Sequence, residues 1–82
     1  MIDVLFFGRM ADIMRQRRLR QDLASDCQTL YRLRDSLFEA PLALGQVQSD
    51  AIHMSVNQVT TREDLVLSEG DEIAFFSVFS GG

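Results

Sequence analysis

The chain has 82 residues, enough for one small domain, and its 46% apolar content excludes a disordered chain. The net charge of −4, with eight arginines and no lysine, argues against nucleic acid as a partner, and no apolar run approaches the roughly 18–20 residues needed to cross a bilayer. A single cysteine, Cys27, excludes an internal disulfide framework and fits a reducing cytosol, so a cytoplasmic domain is expected.

At the start, Met1-Ile2-Asp3-Val4 lacks a basic segment and does not read as a signal peptide. Ile2, Val4 and Phe6 alternate with Asp3, Leu5 and Phe7, which predicts a strand ended by Gly8. Met10, Ile13 and Met14 follow at helical spacing, a helix of about two turns. Spacing returns to two in Arg17–Leu23, predicting a second strand paired with the first as a hairpin and broken at Ser25-Asp26. Its arginines, with Arg15, read first as the wet face of an edge strand and second as a docking patch for an acidic partner. Thr29 is the expected N-cap of the main helix, with Leu30, Leu33, Leu37 and Phe38 as its buried stripe and Pro41 as its stop.

Ile52, Met54 and Val56 predict a third strand reaching Asn57-Gln58, and Leu65-Val66-Leu67 a short fourth piece. Glu69-Gly70-Asp71 marks a turn, and residues 72–79 form the most apolar strand, placed at the sheet centre. Strongly apolar first and last strands favour a parallel central pair with the main helix across one face. The expected class is therefore α+β: a β-grasp (ubiquitin-like) fold with a mixed sheet of about five strands. The same alternation buries Ile73 and Phe75 and turns Phe7, Phe76 and Val78 away from the helix, a candidate partner surface unless residues 41–50 or 57–64 cover it.

Convergent titratable groups are missing. His53 is the only histidine and reads as a surface or edge residue; Cys27 has no second thiol, and no spacing matches a zinc, calcium or phosphate site. The chain is therefore expected to have no catalytic centre of its own. It ends in Ser80-Gly81-Gly82, a slim, flexible tail (80–82) tipped by a carboxylate that fits a narrow channel, or else an ordinary frayed end. Charge is uneven: up to Ala40 seven arginines face six acids, whereas beyond it Arg62 faces Asp50, Glu63, Asp64, Glu69, Asp71 and Glu72. An acidic flank of this kind is expected to steer the tail toward a basic surface.

Four stretches together resemble the molybdopterin synthase small-subunit family of ubiquitin-like sulfur carriers. They are Val4-Leu5-Phe6-Phe7, Ser55-Val56-Asn57-Gln58, Leu67-Ser68-Glu69-Gly70-Asp71-Glu72-Ile73-Ala74-Phe75-Phe76 and the terminal Gly81-Gly82. The resemblance spans residues 1–82 as one domain. It implies that a ubiquitin-activating-type adenylating enzyme uses ATP to convert the Gly82 carboxylate into an acyl-adenylate. A persulfide then leaves a thiocarboxylate there. Gly81 keeps the tail slim, and the tail enters the large subunit of molybdopterin synthase to deliver sulfur to cyclic pyranopterin monophosphate in molybdenum cofactor biosynthesis. The small subunit is then the non-catalytic sulfur donor of a two-subunit sulfurtransferase, expected as a heterotetramer, with no cofactor bound and no membrane or nucleic-acid partner. Partner contacts are expected at Phe7, Phe76, Val78, Phe79 and Ser80. The family's prolines before the tail are absent from Phe76-Ser77-Val78-Phe79-Ser80, which leaves the last strand free to extend. Alternatives are a carrier for thiamin thiazole, tRNA thiolation or amino-acid synthesis, and a ubiquitin-like modifier or interaction module.

Overall fold

Alternation in the first strand is realised as β1 (Ile2–Phe6), whose Ile2, Val4 and Phe6 are buried while Asp3 and Leu5 lie on the opposite face. The structure is a computed structural model that describes residues 1–23 and 28–78. Gly8 follows with φ 56° and ψ −129°, a conformation that side-chain-bearing residues seldom adopt, and reverses the chain into α1 (Arg9–Met14). β2 (Arg18–Gln21) then pairs antiparallel with β1, matching Leu19 to Val4 and Arg18 to Leu5.

The main helix, α2 (Leu30–Leu37), buries Leu30 and Leu33. Thr29 caps it as expected: its hydroxyl accepts from the Arg32 amide at 3.4 Å, a long bond that fits the absence of a capping box. The carboxylate of Asp64 accepts from the Tyr31 amide at 2.8 Å, satisfying another free donor at the positive end of the helix dipole. Pro41 does not stop the chain's helical path. α2 closes at Phe38, and a second short helix, α3 (Glu39–Ala43), takes Pro41 into its first turn and buries it. Amides there have no partner within the helix, so a residue without an N–H costs little.

A single 3-10 turn (Ser49–Ala51) leads into β3 (His53–Val56), which turns at Asn57-Gln58 into β4 (Val59–Thr61). The expected fourth strand is thus displaced: Leu65-Val66-Leu67 contributes one bridge, between Thr29 and Val66, and a buried Leu67. β5 (Glu72–Phe76) ends three residues short of the expected 72–79, with Ser77 and Val78 outside the ladder. The sheet order is β2-β1-β5-β3-β4, with β1 and β5 parallel at its centre and the other pairings antiparallel. This is the expected β-grasp arrangement, with α2 on one face.

The core fills the space between that face and the helix. Phe6, Phe38 and Phe75 are fully shielded and form one aromatic group, with ring centroids 5.3–6.0 Å apart in edge-on and stacked contacts. They bind the C-terminal ends of β1 and β5 to the end of α2. At the other end of the sheet the turn before β5 is closed by hydrogen bonds. Gly70 donates to the Met1 carbonyl at 2.9 Å, and Asp71 accepts from the Ser68 amide at 2.8 Å and from Asn57 Nδ2 at 3.0 Å. Gly70 adopts φ 85°, the left-handed geometry expected of this turn.

Candidate functional site

Every residue whose side chain faces away from α2 follows from the register. One row across the sheet reads Arg18, Leu5, Ala74, Ser55 and Thr60; a second, nearer the end of β5, holds Phe76 and His53. Phe7 sits just beyond β1, its amide donating to the Phe75 carbonyl at 3.0 Å, so it continues beside Phe76. Phe7 is 52% exposed and Val78 59%, so the loop 41–50 does not cover this end. Val47 from that loop instead joins the core on the helix side.

The expected pairing of Phe7 with Phe76 is only partly realised. Phe76 is half-buried and stacks on His53, with ring centroids 5.9 Å apart, whereas Phe7 has no aromatic partner among the described residues. His53 is therefore a supporting residue of the patch, on an interior strand rather than an edge. Sequence alternation placed both rings outward, but only the antiparallel β3–β5 register, His53 against Phe76, brings them together. Leu5, partly exposed, extends the apolar surface, while Ala74 beside it is buried.

Gly8 lies next to the exit from β5: a methyl group added there meets Ser77 Oγ at 3.9 Å. Ser77 thus lies beside the turn that joins β1 to α1. Phe79, Ser80, Gly81 and Gly82, the remaining expected contact and reactive residues, lie outside the described residues, as does Cys27.

Charge around this exit differs from the sequence expectation. Glu69, Asp71 and Glu72 belong to the opposite end of the sheet, where Asp3 pairs with Glu72 and Gly70 bonds to Met1. Four residues of strand separate Glu72 from Phe76, about 13 Å, which exceeds the Debye length of about 8 Å at physiological salt. Residues beside the exit are mostly arginines instead: Arg9 and Arg15 flank α1, the Arg17 carbonyl bonds to the Phe6 amide, and Arg18 pairs with Leu5. All four are exposed, as is Asp12 among them.

A hollow of about 200 Å³ between α2 and the β3–β4 hairpin is lined by Tyr31, Arg34, Asp50, Arg62 and His53, whose ring stacks on Phe76. The guanidinium of Arg34 lies over the Tyr31 ring at 4.5 Å and pairs with Asp35 at 2.9 Å, and the Tyr31 hydroxyl donates to the Arg62 carbonyl. These groups satisfy one another rather than aligning a nucleophile with a base. Among the described residues no cluster of three or more histidines, cysteines or carboxylates could hold a metal, and no helix is long and apolar enough to cross a membrane.

Comparison with known proteins agrees with this architecture. The fold matches SAMP1 from Haloferax volcanii with a TM-score of 0.73 at 26% identity, over 99% of this chain and 98% of that one. Urm1 from Trypanosoma brucei matches at 0.67 and 25% identity, over 99% and 94%. The complex of subunits 1 and 2 of molybdopterin-converting factor from Helicobacter pylori 26695 contains a chain with the same fold, at 0.63 and 20% identity, over 99% and 97%. A search of curated proteins finds no match. The profile of the ThiS family matches residues 4–82, and the chain belongs to that family, among the ubiquitin-like sulfur carriers and modifiers.

Proposed function

We propose that this chain is a sulfur carrier that acts through a thiocarboxylate on Gly82, and that it serves as the small subunit of a molybdopterin synthase. A carboxylate is a poor electrophile, so a ubiquitin-activating-type enzyme first joins it to AMP from ATP, releasing pyrophosphate. The outer sulfur of a persulfide then displaces AMP to give an acyl disulfide, and a second thiol attacks the donor's inner sulfur, which releases the thiocarboxylate and leaves a disulfide on the donor. The thiocarboxylate is presented to a large subunit, which transfers the sulfur to cyclic pyranopterin monophosphate. Within this scheme Phe7, Phe76 and Val78 seat the domain on each partner, Phe79 and Ser80 lead into the partner's channel, and Gly81 and Gly82 pass its narrowest part.

The observation that supports this reading most strongly is the family match running through Gly82. An exposed apolar patch beside the end of β5 supports a donor that works on a partner's active site. Higher identity to SAMP1 than to the converting-factor chain favours one second reading, a modifier joined through Gly82 to lysines of other proteins. Having no lysine itself, the chain would form single conjugates rather than lysine-linked chains.

The deciding experiment is intact-mass analysis of the protein isolated from cells, with Gly82 deleted as the comparison. A carrier shows replacement of one terminal oxygen by sulfur and converts the pterin precursor when mixed with its large subunit; the truncated chain does neither yet melts at the same temperature. Lysine-linked adducts without any sulfur-bearing form favour the modifier. Sulfur transfer by the truncated chain overturns the tail mechanism.

A further inference from the structure

Four arginines in six positions, Arg15, Arg17, Arg18 and Arg20, are more than an edge strand needs to resist aggregation, and they are only partly neutralised internally. Arg18 and Arg20 share one carboxylate, Asp3, at 3.3 and 3.1 Å, through an oxygen that is shielded from solvent and makes no hydrogen bond. Arg15 and Arg17 have no carboxylate within ion-pair distance among the described residues. Position matters more than number. Arg17 lines a hollow of about 440 Å³ together with Phe7, Gly8, Ala11 and Asp12, and Arg18 flanks Leu5 on the sheet face that carries Phe76. Arg17, Arg18 and the exposed aromatic ring are thus parts of one continuous surface at the end of β5. β2 is a sheet edge, so nothing among the described strands covers its outer side.

We infer that this end of the molecule docks on a protein surface whose apolar seat for Phe7 is rimmed by carboxylates facing Arg17 and Arg18. The inference rests on the carrier proposal and adds the charge of the partner's docking rim, which is the reverse of what the acidic C-terminal half implies by sequence alone. A protein partner fits better than a nucleic acid. The net charge is −4, and the cations adjoin an apolar patch rather than forming a broad basic face. Exposed rim charges act chiefly on the association rate and its salt dependence, so the signature is kinetic.

The test measures association of the full chain with the adenylating enzyme and with the large synthase subunit of the same organism, at low and at high salt. For Arg17→Glu/Arg18→Glu, the on-rate is expected to fall about tenfold or more at low salt and to approach the wild-type value in 0.5 M salt, where charges are screened. Glu69→Gln, at an exposed acid of the opposite end of the sheet, should bind within about twofold of wild type. Folding of each variant is checked by its melting curve. An unchanged on-rate for the arginine variant, or slowed binding of the acid variant alone, overturns the inference and leaves the carrier proposal standing. Failure of the wild-type chain to bind either protein overturns both. A gel-shift with a single-stranded RNA oligonucleotide that the arginine reversal abolishes would assign the patch to nucleic acid, and also overturns it.

Discussion

Truncating Phe7 to alanine separates the binding surface from the core. A phenylalanine presents about 200 Å² when fully accessible, and Phe7 remains 52% exposed, so about 100 Å² is available to a partner. At about 25 cal/mol per Å² this is worth up to about 2.5 kcal/mol of binding, or about 60-fold in Kd. Incomplete burial in the complex lowers the expected loss to about 10–60-fold. Its folding cost is smaller, because Phe7 stacks on no other ring and the unfolded chain already shields part of it. A cost of about 1 kcal/mol corresponds to a fall of about 4–8 °C in Tm for a domain of this size. Isothermal titration with the large subunit, beside thermal unfolding of the free variant, gives both quantities. A Kd within threefold of wild type in a folded variant would refute the argument that this ring is an anchor.

The opposite ratio is expected at Phe38. Replacing it by alanine removes the ring that contacts both Phe6 and Phe75, at a cost of about 3–5 kcal/mol, a large share of the roughly 4–12 kcal/mol that an 82-residue domain commonly has. Urea unfolding reads this directly, and a loss under about 1 kcal/mol would contradict the packing described. At the β3–β4 hairpin, Asn57 and Gln58 both hold positive φ, 51° and 70°. Gln58→Gly creates the Asn-Gly pair that such turns favour and should raise stability by about 0.5–1 kcal/mol; a lower urea midpoint would contradict it.

Much of this architecture is readable from hydrophobic spacing because the two central strands are buried on a clear alternation. Ile2, Val4, Phe6, Ile73 and Phe75 leave one arrangement that covers them all, and the outward positions of Phe7 and Val78 follow from it. Errors arise where local signals are weak or shared. Val59-Thr60-Thr61 has no alternation, and Asn57-Gln58 lacks the glycine that announces a tight hairpin, so β4 passes for loop while the more apolar Leu65-Val66-Leu67 imitates a strand. Pro41 punctuates either a helix end or a helix beginning, and here it does the second. Charge placement is hardest to read. Glu72 is near the tail in sequence, yet β5 carries it to the far end of the sheet; Arg17 is remote in sequence, yet β2 brings it to the exit.

The parallel centre of the sheet also orders events in the life of the chain. Asp3 pairs with Glu72, 69 positions further along, so β1 has no central partner until that later segment has been made. Contacts this distant in sequence form late and slowly. Phe6 and Phe38 cannot complete their aromatic group before Phe75, 37 positions beyond Phe38, arrives. Under the proposed function, an enzyme that grips the folded patch at Phe7 and Phe76 before it modifies Gly82 acts only on folded chains, so the fold serves as a checkpoint ahead of loading.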